Sequence, residues 1–205
     1  MLNIHARARV SKALEPLGSG LARRGVTADA ITVLGTVGAT ASALVFFTRG
    51  AWFTGTVLIT VFVLLDIVDG AVARAAGKTS KFGALLDSSG DRVADAAVFG
   101  SLAWYFARHD HPALLAASLL CLVLGSLTSY IRARAEGLGL TATVGIAERA
   151  ERLIIVLAGT GLSGEHLRVP YVQAIALWVL VGASAITVGQ RLVTVHRQDR
   201  RVTTP

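Results

Sequence analysis

The chain has 205 residues, of which 53% are hydrophobic and only 16% are charged, whereas a soluble globular protein carries about 25% charged residues. The mean hydropathy is +0.61. These values exclude an ordinary soluble domain and predict an all-α integral membrane protein. The net charge of +7 is compatible with a nucleic-acid partner, but the basic residues lie between apolar segments. We therefore expect membrane lipid, and no nucleic acid, as the partner.

Apolar segments recur along the chain at the length of membrane-spanning helices, which need about 20 mostly apolar residues. We predict six transmembrane helices, near residues 29–48, 52–75, 82–107, 112–136, 146–163 and 170–195. Residues 1–24 alternate apolar with basic side chains and predict an amphipathic helix at the membrane surface, with an unstructured basic tail as the alternative. Residues 196–205 predict a disordered cytoplasmic tail. The chain is expected to form a single membrane domain, 1–205.

Basic residues divide unevenly between the two ends of these helices. Arg49, Arg108 and Arg168 lie at one set of ends, and Arg92 lies within the third segment, whereas the remaining Lys and Arg residues lie at the opposite ends or in the two termini. Because cytoplasmic loops carry the excess of Lys and Arg, we predict a multi-pass protein of the plasma membrane with both termini in the cytoplasm.

Two pairs of aspartates lie in or beside the second and third apolar segments, at Asp66/Asp69 and Asp87/Asp91. Residues three or four apart share one face of a helix, and an acid at membrane depth is by default a candidate functional residue. If the two helices are antiparallel neighbours, the four carboxylates converge into an all-oxygen site on the cytoplasmic side, which suits Mg²⁺ or Mn²⁺. Ion pairs with nearby Lys and Arg side chains are the alternative. Asp95 continues the face and is expected to support the site by hydrogen bonding.

The aspartates belong to a longer pattern, D-x-x-D-G-x-x-A-R, eight residues, then G-x-x-x-D-x-x-x-D, formed by Asp66, Asp69, Gly70, Ala73, Arg74, Gly83, Asp87 and Asp91. This pattern resembles the signature of the CDP-alcohol phosphotransferases, membrane enzymes of phospholipid synthesis. The resemblance implies that the four aspartates bind two Mg²⁺ ions, for which Mn²⁺ substitutes. It implies further that Asp91 is the catalytic base and that the protein is a homodimer.

Residues around these aspartates are candidates for binding CDP-diacylglycerol. Asp29 is predicted to be the N-cap of the first helix with Thr32 three residues later, and by resemblance both contact the nucleotide. An ordinary helix cap is the alternative, and Ala28 stands where many members of the family have proline. Ser80 could hydrogen-bond the cytidine or cap the third helix. The full candidate set is Asp29, Ala30, Ile31, Thr32, Gly70, Arg74 and Ser80.

The second half of the chain carries a basic cluster in the strings S-Y-I-R-A-R-A-E-G and E-R-A-E-R. Both strings resemble those of the actinobacterial phosphatidylinositol phosphate synthases, a branch of the same family. The resemblance implies inositol phosphate as the acceptor, and guanidinium groups suit phosphate recognition. The candidate residues for its phosphate are Arg132, Arg134, Arg152 and Arg191.

The sequence leaves other functions open. Glycerol 3-phosphate, the acceptor of a phosphatidylglycerophosphate synthase, also carries a phosphate, and the arginines could simply orient the protein in the membrane. A divalent-cation transporter or channel would also place acids in its spans. Such a protein needs a path to the far side, whereas the acids here are confined to one half of the membrane.

Overall fold

The computed structural model describes Gly20, Arg23, residues 25–75 and residues 80–203, without the side chains of residues 66, 67, 74, 75 and 201–203. The regular elements in these residues are helices: α1 Ala28–Phe46, α2 Trp52–Ala75, α3 Lys81–Arg108, α4 Pro112–Gly137, α5 Arg149–Leu162 and α6 Val172–Thr203, with a 3-10 turn at Phe47–Arg49. The predicted all-α fold is confirmed. Apart from two residues, the interfacial helix predicted over residues 1–24 lies outside the described residues.

Four segments of the described chain are long and apolar enough to cross a membrane: Ala28–Arg49, Trp52–Ala73, Pro112–Gly137 and Val172–Arg200. They make this chain an integral membrane protein. The other two helices differ in kind, because α3 carries several charged side chains and α5 has only 14 residues, fewer than the ~20 that span a bilayer. The count of six spans therefore stays a prediction.

Helix α5 begins three residues later than the predicted boundary at residue 146. The hydroxyl of Thr187 accepts hydrogen bonds from the amides of Ile146 and Ala147, at 3.2 and 3.1 Å, so these amides are held by α6 and stay outside α5. Gly145, with φ +148°, makes this contact possible, since a Cβ atom there would lie 2.4 Å from Cγ2 of Thr187.

Helix α6 continues to Thr203, so the prediction of disorder is wrong for residues 196–203, the part of the tail that the structure describes. Gln198 explains the extension. Its side-chain oxygen accepts from the amide and the hydroxyl of Thr141, at 3.0 and 3.1 Å, and its nitrogen donates to the carbonyl of Thr141 at 2.6 Å. These contacts between distant residues stabilise a polar helical end that local composition alone does not favour.

The described residues divide into two compact units, one within Met1–Val45 and Val57–Ala97 and the other within Phe46–Thr56 and Val98–Pro205. The expectation of a single domain stays a prediction. In the first unit, α1 contacts both of its neighbours through glycines: a Cβ atom on Gly38 would lie 2.3 Å from the ring of Phe62 on α2, and one on Gly90 of α3 would lie 2.4 Å from Oγ1 of Thr36. Small residues allow such close approach of helices in membranes.

In the second unit, α6 packs against α4 and α5. Ile131, Ala135 and Ala142 form a buried apolar cluster, and Val188 and Val195 of α6 pack against it. Helix α4 buries one stripe at helical spacing, consisting of Ala117, Ser118, Cys121, Gly125, Thr128, Ile131 and Ala135. Its polar members, Ser118 and Thr128, are therefore enclosed in the protein and need hydrogen-bond partners there.

Glu165, in the loop between α5 and α6, caps the start of α2 in the second unit. Its carboxylate accepts from the amides of Phe53 and Thr54, at 2.9 and 3.2 Å, and from the hydroxyl of Thr54 at 2.9 Å. Burial raises the pKa of this carboxyl, but hydrogen bonds from its own amide and from residues 53 and 54 outweigh burial and lower the pKa to about 2. The cap therefore stabilises the fold in its ionised form.

Replacing Glu165 with glutamine should lower the thermal midpoint of the purified protein and remove part of its acid sensitivity. Because the folded pKa lies below the ordinary value of 4.5, this stabilisation is present above about pH 4.5 and is lost as the pH falls towards 2. Melting curves at pH 7 and pH 3 should show the deficit of the variant shrinking at pH 3. Glu136→Gln, at a half-exposed carboxylate, is the matched control. An equal decrease in the thermal midpoint at both pH values would contradict a stabilising role for the negative charge of Glu165.

Candidate active site

The first unit holds Asp69 of the aspartate motif in a buried position. The side chain of Asp69 on α2 is 8% exposed, and the hydroxyl of Thr32 on α1, 5% exposed, donates a hydrogen bond to its Oδ2 atom. Thr32 was predicted as a nucleotide contact. In the structure it orients a predicted metal ligand, and its hydroxyl lies 3.2 Å from the carbonyl oxygen of Ala28.

Asp87 and Asp91 lie four residues apart on α3, hence on one face, and both are partly buried. Nη2 of Arg92 lies 3.9 Å from a carboxylate oxygen of Asp91 and 3.7 Å from one of Asp95. Asp95 thus forms an ion pair with Arg92 on the same helix, and its support of the metal site by hydrogen bonding stays a prediction. The same guanidinium lies beside the carboxylate of Asp91.

The donor set of the motif fits a hard divalent cation, because carboxylate oxygens are the ligands that Mg²⁺ and Mn²⁺ prefer. Asp69, Asp87 and Asp91 are described, but the side chain of Asp66 is not. Within the described side chains, no three His, Cys, Asp or Glu residues come close enough to form a metal site. Convergence of all four aspartates therefore stays a prediction.

The starts of α1 and α3 meet at Gly83 of the motif. A Cβ atom at Gly83 would lie 3.0 Å from Oγ of Ser80 and 3.1 Å from Oδ1 of Asp29, so two predicted nucleotide contacts lie together here. The amide of Gly83 donates to Oγ of Ser80 at 2.8 Å, which makes Ser80 a cap of α3. A contact of Ser80 with the nucleotide stays a prediction.

Asp29 is not the N-cap of the first helix. Helix α1 begins at Ala28, and the hydroxyl of Thr27 accepts from the amide of Ala30 at 3.2 Å, so Thr27 is the cap. Asp29 lies in the first turn, where a negative charge interacts favourably with the helix dipole. Helix capping is therefore not the role of the Asp29 side chain. Its carboxylate lies beside Gly83 of α3.

The other predicted nucleotide residues occupy different environments. Ala30 is exposed, whereas Ile31 is buried at 7% exposure and packs into the protein interior. Gly70 is partly buried directly after Asp69, and the side chain of Arg74 lies outside the described residues. Binding of CDP-diacylglycerol by these positions stays a prediction.

The second unit buries two of the four predicted acceptor arginines. Arg152 of α5 is 2% exposed and Arg191 of α6 is 4% exposed. Arg132 and Arg134 of α4 are exposed, and Arg132 forms an ion pair with Glu136 at 3.0 Å. Arg191 is within electrostatic range of Glu148, Arg132, Arg152 and Glu136, and its Nη2 atom lies 3.9 Å from Oε1 of Glu148.

Residues 25–188 match the family model described as CDP-alcohol phosphatidyltransferase. The chain belongs to the CDP-alcohol phosphatidyltransferase family. It is 49% identical over 205 residues to the phosphatidylinositol phosphate synthase of Streptomyces avermitilis, covering 97% of this chain and 84% of that protein. The resemblance noted in the sequence is confirmed.

Two solved structures of the phosphatidylinositol phosphate synthase of Mycobacterium tuberculosis have the same fold. One, with CDP-DAG bound, is 44% identical and superposes with a TM-score of 0.85 over 90% of this chain and 94% of that chain. The other, in complex with manganese and citrate, is 45% identical, with a TM-score of 0.84 over 89% and 88% of the two chains.

Sequence reasoning missed three residues near the sites of this CDP-alcohol phosphatidyltransferase. Gly90 of α3, directly before Asp91, permits the contact with Thr36, and Gly125 and Thr128 of α4 lie against Arg152. A signal was present, because Gly125 and Thr128 continue the spacing of small residues along α4 from Ala117 and Cys121. Small residues at helical spacing mark close helix contacts in membrane proteins.

Proposed function

We propose that this chain transfers the phosphatidyl group of CDP-diacylglycerol to a hydroxyl of inositol phosphate, which yields phosphatidylinositol phosphate and CMP. The observation that carries the proposal is the complete aspartate motif on α2 and α3, in a chain of the CDP-alcohol phosphatidyltransferase family. The relatives named phosphatidylinositol phosphate synthase, one of them with CDP-DAG bound, support the choice of both substrates.

Asp66, Asp69, Asp87 and Asp91 would hold a divalent metal, as a manganese-bound relative suggests. We assign two Mg²⁺ ions to this site, with Mn²⁺ as a substitute. When bound, the ions neutralise the diphosphate and stabilise the attacking and leaving oxygens. Thr32 supports the site by fixing the carboxylate of Asp69.

Asp91 acts as the general base of the transfer. Its carboxylate takes the proton of the acceptor hydroxyl, the hydroxyl oxygen forms a bond to the phosphorus that carries diacylglycerol, and the bond from that phosphorus to the CMP oxygen breaks. Asp29, Thr32, Gly70 and Arg74 position the nucleotide and its diphosphate. A partly buried Asp91 is compatible with access by a substrate hydroxyl.

Arg152 and Arg191 bind the phosphate of the acceptor, with Arg132 and Arg134 at the exposed side of the same region. Guanidinium and phosphate form strong paired hydrogen bonds. Two such groups in one unit therefore favour an acceptor that carries a phosphate over free inositol or serine.

The orientation and assembly of the enzyme complete the proposal. Both termini and the active site face the cytoplasm, which lets water-soluble acceptor and CMP exchange while the acyl chains stay in lipid. The excess of Lys and Arg at one set of helix ends supports this orientation. The family resemblance supports a homodimer in the plasma membrane.

An acceptor panel with the purified protein tests this function. CMP release from CDP-diacylglycerol should require a divalent cation and should be fastest with inositol phosphate, compared with glycerol 3-phosphate, inositol and serine. Preference for glycerol 3-phosphate would make the protein a phosphatidylglycerophosphate synthase. Absence of CMP release with every acceptor would contradict the proposed enzymatic activity and favour a cation transporter.

Replacing Arg152 or Arg191 with alanine should raise KM for inositol phosphate and leave KM for CDP-diacylglycerol nearly unchanged. A hydrogen bond to a charged group contributes about 1.5–3 kcal/mol, so the loss should be roughly 10- to 150-fold in affinity. Steady-state kinetics with each substrate varied in turn measures both constants. Arg108→Ala, at the exposed end of α3, is the matched control. Wild-type KM for inositol phosphate in both variants would remove the arginines from acceptor binding.

A further inference from the structure

One buried threonine joins the two buried arginines of the second unit. Nη1 of Arg152 donates to Oγ1 of Thr128 at 3.1 Å, and Nη1 of Arg191 donates to the carbonyl oxygen of Thr128 at 2.5 Å. The three residues come from three helices, α5, α6 and α4. Thr128 itself is only 1% exposed, and both its hydroxyl and its carbonyl oxygen are engaged by the two guanidiniums.

The hydroxyl of Thr128 has a defined orientation. It donates its proton to the carbonyl oxygen of Gly125, one helical turn earlier, at 2.8 Å. Its lone pairs are thereby left to accept from Arg152, since a hydroxyl carries one donor and two acceptor sites. A hydroxyl that is both donor and acceptor holds the guanidinium in one place.

Gly125 completes the surface of α4 against which Arg152 lies. A Cβ atom at Gly125 would lie 3.2 Å from Nε of Arg152, closer than most such contacts, so a larger side chain would displace the guanidinium. Arg152 thus packs against α4 at both residues. Gly125 leaves room for the guanidinium because it has no side chain, and Thr128 accepts a hydrogen bond from it.

Loop residues anchor the same guanidiniums from the other direction. The carbonyl of Ala147 accepts from Nη1 of Arg152 at 3.3 Å, and that of Val144 accepts from Nε of Arg191 at 2.9 Å. These carbonyls and the two oxygens of Thr128 are neutral acceptors. They orient both guanidiniums, and the carboxylate of Glu148 lies beside Arg191 as well, with its Oε1 atom 3.9 Å from Nη2.

We infer that Thr128 is a positioning residue for the acceptor phosphate, which sets the relative placement of Arg152 and Arg191 through its hydroxyl and its carbonyl. The inference rests on the proposed function, because it takes the two arginines as the phosphate site. It adds that specificity for a phosphorylated acceptor depends on a neutral side chain of α4 that touches no substrate.

Thr128→Val tests the inference, because valine has nearly the shape of threonine and lacks the hydroxyl. KM for inositol phosphate should rise roughly tenfold, equivalent to about 1.4 kcal/mol, while KM for CDP-diacylglycerol and kcat change less than about twofold. Thr128→Ser keeps the hydroxyl and should restore the wild-type KM. The shift of the thermal midpoint by added inositol phosphate should shrink in the valine variant and return in the serine variant, as ligand linkage requires.

Thr160→Val is the matched control, since Thr160 of α5 is fully buried and its hydroxyl contacts Gln173. It should show no selective change in KM. If Thr128→Val does not fold, Thr128→Ala removes the same hydroxyl without placing a methyl group against the guanidinium. The same selective rise in KM is expected of it.

The outcomes separate this inference from the proposed function. A wild-type KM for inositol phosphate in Thr128→Val or Thr128→Ala, beside a raised KM in Arg152→Ala, would overturn the role of Thr128 and leave the phosphate site intact. Equal changes in both KM values, or equal effects of valine and serine, would also overturn it, because they indicate packing alone. An unchanged KM in Arg152→Ala would contradict the phosphate site itself.

Discussion

Asp91→Asn should lower the turnover of the enzyme by about 100-fold or more, the usual contribution of a general base. Asparagine has the shape of aspartate but cannot take the proton of the acceptor hydroxyl. The fold should persist, because Arg92 keeps its ion pair with Asp95 at 3.7 Å when the contact with Asp91, at 3.9 Å, is lost. Initial rates of CMP release at saturating substrates measure the effect, and the thermal midpoint verifies folding.

Asp110→Asn is the matched control for the same chemical change. Asp110 is an exposed loop residue with φ +56°, a conformation that asparagine tolerates as readily as aspartate. Its turnover should equal that of the wild type. Near-normal turnover in Asp91→Asn would remove Asp91 from catalysis and leave it, at most, a metal ligand.

Asp87→Ala should abolish activity at every practical Mg²⁺ concentration. The prediction follows from the proposed metal site, in which Asp87 supplies carboxylate oxygens as ligands. Alanine has no oxygen in its side chain and cannot bind the metal. The same result is expected for Asp66→Ala. Activity is measured as CMP release while Mg²⁺, and separately Mn²⁺, is varied over several orders of magnitude.

Ser88→Ala provides the control on the same turn of α3. Ser88 is exposed, and its hydroxyl donates to the carbonyl of Leu85, so its removal should leave both activity and metal dependence unchanged. Recovery of the wild-type rate by Asp87→Ala at high Mg²⁺ would show that Asp87 only raises metal affinity from the periphery of the site.

Local spacing carried much of the prediction for the aspartate motif. Whether Asp87 and Asp91 share a face depends on helical periodicity alone, and α3 has that periodicity. The helix boundaries likewise follow hydropathy to within a few residues along most of the chain. Two boundaries differ, the late start of α5 and the C-terminal extension of α6. In both cases a side chain of α6 binds the backbone of the loop before α5, at residue 147 and at residue 141.

The arginines show where local reasoning ends. Arg132, Arg134, Arg152 and Arg191 appear alike in the sequence, as basic residues near the ends of apolar helices. Only the packing of three helices separates the buried pair, Arg152 and Arg191, from the exposed pair. The threonine that joins the buried pair lies 24 and 63 residues away from them along the chain, a distance over which no spacing rule applies.

The sequence by itself determined the fold class and the membrane character, which depend on composition, and the pairing of aspartates along each helix, which depends on contacts within one turn. It also indicated the family, through the resemblance of the aspartate motif to a known signature. Only the tertiary structure decided that Thr27 caps α1, that Thr32 holds Asp69, that Asp29 faces Gly83, and that Thr128 links Arg152 to Arg191. These contacts join residues from different helices or fix a choice between adjacent polar side chains. The contacts between different helices are stabilised by packing and hydrogen bonding between parts of the folded chain that lie far apart in sequence. Local sequence preferences therefore do not predict them.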